Sequence, residues 1–247
     1  MSQNVLIIGA SSGMAEEVAR AYAAQGANLF LVARHQEKLQ AIASDLAARG
    51  ANAVNTYILD ANDTNAVMPM LDTAWQKLKT LDVALVAHGT LPDQERAQTD
   101  ISYALSEFRT NADSVIACLT GLGSKFQLQG NGVIVVIGSV AGDRGRASNY
   151  LYGAAKAAIE TFASGLRAHL FSYGVHVLLV KPGFVATPMT AHLQLPAALT
   201  STAVNAAADI LKAIHKRKDV LYTAWFWAWI MLIIRWLPSF VFKRLKF

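Results

Sequence analysis

The sequence predicts a doubly wound α/β fold, in which helices cover both faces of a parallel sheet. Short apolar runs of strand length alternate along the chain with longer helical stretches, an order that is typical of βαβ units. The strand-length runs are continuously apolar and do not alternate with polar residues, which indicates a sheet buried on both faces. At 247 residues, 53% of them hydrophobic, the chain fits one large domain.

The predicted elements alternate up to residue 180. The first strand ends at a glycine turn, the fifth strand is very apolar and β-branched, and Asn62 or Asp63 can cap the third helix. The predicted strands are Val5–Ile8, Leu29–Ala33, Val54–Leu59, Val83–Ala87, Val133–Ile137 and Val175–Val180. The predicted helices are Met14–Ala24, Glu37–Arg49, Thr64–Leu78, Leu105–Leu119 and Tyr152–Phe171.

Composition excludes several classes of partner. The net charge of +5 is modest and diffuse, so no nucleic-acid partner is expected.

Cys118 is the single cysteine, which rules out an internal disulfide and suits a reducing compartment; we interpret it as a core residue. No metal site is expected. The first residues carry no basic segment, so we expect no secretion signal and a cytoplasmic catalytic domain.

The turn after the first strand has the composition of a phosphate-binding loop. Residues 9–15 (GASSGMA) join that strand directly to a helix. Gly9 permits the tight turn, and Gly13 lets backbone amides approach a pyrophosphate at the positive end of the helix. Ser11, Ser12 and Met14 then line a dinucleotide site. The alternative is a glycine-rich βα turn that binds no ligand.

With this loop the chain resembles the short-chain dehydrogenase/reductase family. The loop of that family is Gly-x-x-x-Gly-x-Gly, and Ala15 stands here in place of the last glycine. The resemblance extends from about Val5 to Met189. It implies a Rossmann-like fold, a nicotinamide dinucleotide cofactor, and hydride transfer to or from a carbonyl carbon.

The end of the second strand favours NADP(H) over NAD(H). NAD enzymes commonly carry a carboxylate there for the ribose hydroxyl, whereas this chain has Arg34. A guanidinium suits the 2′-phosphate of NADP, and Ser11 can add a hydroxyl contact. Alternatively, Arg34 is a solvated loop residue. In the resembled family an aspartate at the position of Asp60 binds the adenine amino group; the alternative role for Asp60 is a helix N-cap.

The segment after the fourth strand departs from the family pattern. The family usually has Asn-Asn-Ala-Gly, and this chain keeps only the glycine of that motif in Ala87-His88-Gly89. We assign Ala87 and Gly89 to the cofactor site, with altered contacts to the adenine ribose. His88 is interpreted as a loop residue and not as a catalyst.

Tyr152 and Lys156 are the strongest catalytic candidates. Their i, i+4 spacing puts both side chains on one face of a helix. A free tyrosine is a poor acid or base at neutral pH, and a neighbouring ammonium is expected to lower its pKa. Tyr150 has no lysine four residues on, so we assign it to the pocket wall.

The family resemblance supplies the remaining catalytic residues. Ser139 precedes Tyr152 by thirteen residues, the usual separation, and would stabilise charge on the substrate oxygen. Asn111 occupies the fourth catalytic position and would extend a proton relay from Lys156 through water; the alternative is a residue with only local helix contacts.

The segment after the sixth strand is assigned to the nicotinamide. Pro182 and Gly183 match the family's Pro-Gly segment there. Val185 and Thr187 would bond the carboxamide. Residues 195–202 are expected to form a flexible substrate lid.

The C-terminal part leaves the common family pattern. We predict a catalytic domain of residues 1–215 and a helical extension of residues 216–247. Within the extension, Val220–Ile234 is an unbroken apolar run, followed by a basic end at residues 243–246. Fifteen residues are too few to span a bilayer, which needs about 20. Tryptophans flanked by basic residues suit the membrane interface; a buried helix or a dimer face is the alternative.

This tail and residues 142–149 (GDRGRASN) are similar to the decaprenylphosphoryl-2-keto-pentose reductases. That similarity implies reduction of a keto sugar on a polyprenyl phosphate, at the cytoplasmic face of a membrane, beside a flavin oxidase partner. Arg144 and Arg146 would meet the lipid phosphate; otherwise they form a solvated loop pair.

Other functions stay open. One alternative is a general carbonyl or 3-oxoacyl reductase that acts on soluble or carrier-bound substrates. Another is a non-catalytic NADP-binding sensor or membrane scaffold, although such proteins typically lose the Tyr or the Lys. A homodimer or tetramer is expected, as is common in the family.

Overall fold

The fold is a parallel sheet between two layers of helices, seen in a computed structural model that describes residues 2–245. Met1, Lys246 and Phe247 lie outside the described residues, so part of the predicted basic end does too. The main sheet of the described chain has seven parallel strands in the order β3-β2-β1-β4-β5-β6-β9. These strands are β1 (Asn4–Ile8), β2 (Asn28–Ala33), β3 (Ala53–Ile58), β4 (Val83–Val86), β5 (Gly132–Ile137), β6 (Val175–Pro182) and β9 (Val220–Thr223). A separate parallel pair consists of β7 (Phe184–Ala186) and β8 (Thr200–Thr202).

Helices connect the strands and bury both faces of the sheet. One apolar cluster packs α1, α2 and α8 on one face, and a second packs α3, α6 and α7 on the other. The helices are α1 (Gly13–Ala23), α2 (Gln36–Ala48), α3 (Val67–Leu78), α4 (Gln94–Thr99), α5 (Ile101–Phe108), α6 (Ser114–Gln129), α7 (Tyr150–Leu170), α8 (Ala203–His215), α9 (Phe226–Trp236) and α10 (Ser239–Phe242). The predicted doubly wound α/β class is confirmed.

The strand order reverses beside β1, and that reversal opens a crevice. β1 pairs with β2 on one side and with β4 on the other, so that Ile8 lies opposite both Val32 and Val86. The connections leaving β1 and β4 therefore run to opposite faces of the sheet. In open α/β sheets, ligands bind at the carboxyl ends of the strands at such a point.

The helix predicted at Leu105–Leu119 is interrupted. α5 ends at Phe108, a π-helical segment spans Arg109–Asp113, and α6 then runs on to Gln129. The sequence analysis predicted one continuous helix here and did not indicate this interruption. π-Bulges are rare and occur frequently at functional sites.

The prediction of a helical extension from residue 216 is wrong at Val220–Thr223. These four residues form β9, an edge strand paired with β6 from Leu179 to Pro182, so the expected boundary after residue 215 would cut the sheet. Helix α9 does follow, from Phe226. An apolar run of fifteen residues has no periodicity that marks a strand-to-helix junction. Within residues 2–245, no helix is both long and apolar enough to cross a membrane.

Candidate active site

The crevice holds two adjoining cavities at the carboxyl ends of β1, β4, β5 and β6. The larger, of about 210 Å³, extends from the glycine turn to the ends of β2 and β3. The smaller, of about 90 Å³, lies against α7 and the end of β6. Residues that line both are Ser12, Met14, Ala87, His88, Gly89, Thr187 and Met189. The arrangement is an elongated cleft that suits a two-headed ligand such as a dinucleotide.

The glycine turn lies at the closest approach of β1 and β4. Gly9 has φ +84°, and a Cβ there would lie 2.5 Å from the backbone N of His88, so only glycine fits. Gly13 begins α1, and the side chain of Ser12 makes no capping hydrogen bond. The first amides of α1 therefore point their partial positive charge into the larger cavity, which Ser11 and Gly13 also line.

Arg34 and Asp60 lie together at the far end of the larger cavity. Arg34 is exposed and follows β2 directly. Asp60 does not cap the following helix, since its Oδ1 accepts a hydrogen bond from the backbone N of Asn62 at 3.0 Å. Lys38, which the sequence did not single out, donates from Nζ to the backbone O of Ser11 at 3.2 Å. It brings a second cation to this end of the cleft.

Ser139, Tyr152 and Lys156 meet in the smaller cavity. The Nζ of Lys156 donates to the backbone O of Ile137 at 3.1 Å and lies 5.5 Å from the centre of the Tyr152 ring. The Ser139 Oγ accepts from the backbone N of Ala141 at 3.1 Å, which fixes the end of β5. The Ser139 side chain also lies close enough to Tyr152 to lower the pKa of its phenol.

Burial dominates the protonation of both α7 residues. It raises the pKa of Tyr152 to about 12, although the hydrogen bond with Ser139 opposes the rise. It lowers the pKa of Lys156 to about 8, opposed by the charge of Glu160. The expected lowering of the Tyr152 pKa by Lys156 is therefore wrong for the protein alone, because desolvation by burial dominates. Tyr152 is a neutral acid that can donate a proton.

Asn111 lies in the π-helical segment and lines neither cavity. Its Nδ2 donates to the backbone O of Glu107 at 3.0 Å and to Thr90 Oγ1 at 2.8 Å, while its Oδ1 accepts from the backbone N of Thr90 at 3.0 Å. A Cβ on Gly89 would lie 2.9 Å from that Oδ1 and 3.6 Å from Lys156 Nζ. Asn111 thus holds the loop after β4 from behind Gly89. Its role in a proton relay stays a prediction.

The segment after β6 closes the smaller cavity. Pro182, Gly183, Val185 and Thr187 all line it, and their contact with a nicotinamide stays a prediction. A Cβ on Gly183 would lie 2.0 Å from Trp227 Nε1. This contact puts α9 directly behind the proposed nicotinamide segment, which the sequence did not indicate.

Two further expectations can be compared with the structure around this cavity. Tyr150 is 46% exposed and lines neither cavity, so its assignment to the pocket wall is wrong. Residues 200–202 of the expected lid form β8. Leu199 O accepts a hydrogen bond from Trp227 Nε1 at 3.3 Å. The C-terminal part of the predicted lid is therefore attached to α9.

Arg144 is not available to a phosphate. Its Nη1 donates to the backbone oxygens of Ile234 and Leu237, each at 2.6 Å, and its guanidinium lies 3.8 Å from the centre of the Phe242 ring. Both expected roles for Arg144, phosphate binding and a solvated loop, are therefore wrong: it caps the C-terminal end of α9. Arg146 differs, because its Nε is buried without a hydrogen-bond partner among the described residues.

A buried charge cluster fixes the loop after Ser139. Lys181 at the end of β6 is 6% exposed and pairs with Asp143 and with Glu160, the latter at 2.7 Å. Tyr222 of β9 donates its hydroxyl to Asp143 Oδ2 at 3.0 Å. These contacts connect β6, α7 and β9 to the loop that follows the catalytic serine candidate.

Comparison with known proteins gives one consistent result. A family model described as short chain dehydrogenase matches residues 3–197. An uncharacterized oxidoreductase of Mycobacterium tuberculosis (strain ATCC 25618 / H37Rv) is 38% identical over 241 residues, which is 98% of this chain and 96% of the relative. One of Streptomyces coelicolor is 32% identical over 244 residues, again 98% and 96%. The crystal structure of levodione reductase superposes with a TM-score of 0.80 at 22% identity, covering 90% of this chain and 96% of that one.

Proposed function

The chain belongs to the short-chain dehydrogenase family and is an oxidoreductase; on that premise we propose that it reduces a carbonyl to an alcohol with NADPH. The observation that carries the proposal is the meeting of Ser139, Tyr152 and Lys156 in one cavity that adjoins the dinucleotide-shaped cleft. A non-catalytic NADP-binding protein would not need an acid, a serine and a buried lysine in register.

The cleft fits a nicotinamide dinucleotide on three structural grounds. Gly9 leaves no room for a side chain at the turn. The N-terminus of α1 has no side-chain cap and can meet a pyrophosphate. His88 lines both cavities, and its Nδ1 is buried without a partner among the described residues. A ligand that runs from Arg34 to Tyr152 would use all three.

When bound, the reduced nicotinamide supplies the hydride. Tyr152 then protonates the substrate oxygen, which its raised pKa supports because the phenol stays neutral and ready to donate. Ser139 donates a second hydrogen bond to that oxygen as negative charge develops. Lys156, with its pKa near 8, is charged in most molecules at neutral pH and stabilises the phenolate that remains.

The end of β2 supports NADP(H) as the cofactor. Arg34 lines the cleft and forms no ion pair within the described chain, so its guanidinium is available to a 2′-phosphate. Lys38 at Ser11 adds positive charge beside it. No carboxylate stands where an NAD enzyme commonly binds the ribose hydroxyls.

For the substrate we propose a keto sugar carried on a polyprenyl phosphate, used at the cytoplasmic membrane surface. Met189 at the rim of both cavities is 38% exposed, and Leu193 on the same loop is 41% exposed, which suits an apolar chain beside the site. Arg146 is the remaining cation of the GDRGRASN loop that can meet a phosphate. A soluble ketone or a carrier-bound 3-oxoacyl group is the competing substrate class.

The deciding experiment follows NADPH oxidation by the full-length protein in detergent. The substrates are a polyprenyl-phosphate keto sugar and, in parallel, a panel of soluble ketones. We expect turnover mainly with the lipid-linked sugar. Turnover with soluble ketones alone would support carbonyl reduction and contradict the lipid-linked substrate. No turnover with either class, despite tight NADPH binding, would favour the sensor or scaffold role.

Two variants make this experiment specific. Tyr152→Phe removes the acid and is expected to lower kcat by about 10³-fold, while NADPH binding is retained. Tyr150→Phe is the matched control, since Tyr150 lies outside both cavities, and its kcat should stay within about twofold of the wild type. Equal activity of the two variants would mean that Tyr152 is not the acid.

A further inference from the structure

Helix α9 is apolar on two opposite faces. Trp227 and Met231 are 4% and 0% exposed and pack with Val140 under the helix. On the outside, Trp225, Trp229 and Trp236 are 74%, 63% and 81% exposed. The spacing of 225, 229, 233 and 236 makes one continuous stripe on the helix. A helix that is apolar all round requires a second apolar environment on its outer side.

This outer stripe continues into α10. We call it the aromatic face, and it consists of Trp225, Trp229, Ile233, Trp236 and Phe240. Phe240 is 62% exposed. Arg144 bonds the carbonyls at the turn between α9 and α10 and packs on Phe242, so the two helices are held at a fixed angle to each other and to the catalytic loop.

Charge distinguishes between the occupants that could cover this face. Residues 220–247 contain no Asp or Glu and four basic residues, Arg235, Lys243, Arg244 and Lys246. A second copy docked through the same face would bring two basic segments together without a carboxylate between them. An anionic lipid surface offers the opposite charge, and Trp side chains favour the headgroup zone.

We propose that the aromatic face docks the protein on the surface of an anionic bilayer, with α9 and α10 lying in the headgroup region. The helices lie along the surface and do not cross it, consistent with their length. Docking does not depend on the proposed reaction, and its test contains no turnover.

The test is co-sedimentation of the full-length protein with vesicles of phosphatidylcholine alone or mixed with phosphatidylglycerol. We expect binding to the mixed vesicles, a blue shift of tryptophan emission on binding, and weaker binding at high salt. The double variant Trp229→Ser/Trp236→Ser should bind at least about tenfold more weakly. Leu128→Ser/Phe171→Ser is the matched control, since these side chains are 84% and 83% exposed elsewhere, and it should bind like the wild type.

Two results would overturn the docking proposal. One is equal sedimentation of the aromatic-face variant and the control. The other is a dimer in sedimentation velocity that Trp229→Ser/Trp236→Ser dissociates, with no vesicle binding by the wild type; this would assign the face to a second copy. Thermal melts of both variants establish that they fold, which is expected because the replaced side chains are exposed.

A second inference concerns His88, which lies where the two cavities join. Its Nε2 is 2.9 Å from Ser114 Oγ. Ser114 donates its only hydroxyl hydrogen to the backbone O of Thr110 at 2.8 Å, so it can only accept from His88. The Nε2 of His88 therefore carries the hydrogen, and Nδ1 is left with a free lone pair.

That Nδ1 is buried and has no partner among the described residues. The ring does not gain a second proton at neutral pH, because burial and the charge of Lys156 lower the pKa of His88 to about 4. A buried acceptor without a donor is unfavourable. A donor from a ligand in the cleft, which His88 lines, would satisfy this nitrogen.

The geometry points to His88 as a cofactor-binding residue whose Nδ1 accepts a hydrogen bond from a ribose hydroxyl of the dinucleotide. The phosphates in the middle of such a ligand carry only acceptors at neutral pH, whereas the riboses that flank them carry hydroxyl donors. This deepens the proposed function and rests on a dinucleotide occupying the cleft.

Nitrogen NMR of the histidine side chains tests this inference without turnover. In the free wild-type protein we expect the tautomer with hydrogen on Nε2, and addition of NADPH should shift the Nδ1 resonance of His88 upfield. His88→Phe should raise the NADPH Kd about 3- to 10-fold, whereas His35→Phe, an exposed control, should not. An unshifted Nδ1 resonance under saturating NADPH would overturn the inference, whatever the variant does; failure to bind NADPH at all would instead overturn the proposed function.

Discussion

The two ends of this molecule are built in different ways. At the dinucleotide end, Gly9, Ser12 and Gly13 belong to one turn, and a single short sequence motif identifies all three. At the C-terminal end, Arg144 reaches Leu237 across 93 positions and Tyr222 reaches Asp143 across 79. The match to the family model ends at residue 197. Local motifs therefore determine the cofactor cleft, and long-range contacts determine how the substrate side is closed.

The largest expected effect is a loss of stability when the buried charge cluster at the C-terminal end is disrupted. Lys181→Met leaves Asp143 and Glu160 buried without their cation, and should lower the free energy of unfolding by about 3–5 kcal/mol. Urea unfolding followed by circular dichroism measures it. Lys125→Met is the control, since Lys125 pairs with Asp72, which is 62% exposed; it should cost at most about 1 kcal/mol. Equal losses would mean that the cluster does not hold the C-terminal end.

Trp227 tests whether α9 belongs to the catalytic domain. It is 4% exposed and packs against Gly183 and Phe184, so Trp227→Ala should lower the free energy of unfolding by about 3 kcal/mol and raise the KM for NADPH. Trp225→Ala, which removes a side chain that is 74% exposed, should stay within about 0.5 kcal/mol. A Trp227→Ala protein that is as stable as the wild type would show α9 to be a loosely attached extension.

The difference between the ends also explains what could be predicted from sequence. The β1 turn, Ser139, and the i, i+4 pair Tyr152 and Lys156 depend on local chemistry, and the structure brings them to one crevice as expected. The strand at Val220–Thr223 could not be predicted, because its pairing partner lies about forty residues earlier and its apolar residues merge with those of α9. The role of Arg144 was missed for the same reason, since carbonyls at a helix end have no sequence signature.

Replacing Arg34 tests the dinucleotide end through ligand affinity and not through stability, since its effect should be confined to NADPH. Arg34→Ala removes the guanidinium at the end of β2 and should weaken NADPH binding about 10- to 50-fold, because charge-assisted hydrogen bonds to the phosphate are lost. The NADH affinity and the unfolding free energy should stay unchanged. Arg49→Ala is the control, because Arg49 pairs with Asp45. An equal loss of NADPH and NADH affinity would contradict the assignment of Arg34 to the 2′-phosphate.

The smallest effect is a pH dependence of stability that arises at the dinucleotide end. Burial is the largest cause of the lowering of the pKa of His88 from 6.5 to about 4. The charges of Lys156 and Arg34 also lower this pKa, whereas the charge of Asp60 raises it. Between these values the unfolded chain binds a proton that the folded protein does not, so stability falls as pH falls through this window and does not fall further below it. We expect a loss on the order of 1 kcal/mol, because water in the cleft weakens the burial. Urea unfolding between these pH values should show no such loss for His88→Phe, whereas the exposed control His35→Phe should retain it. If the unfolding free energy of the wild type and of both variants depended on pH in the same way, His88 would titrate normally and its ring would be accessible to water in the crevice.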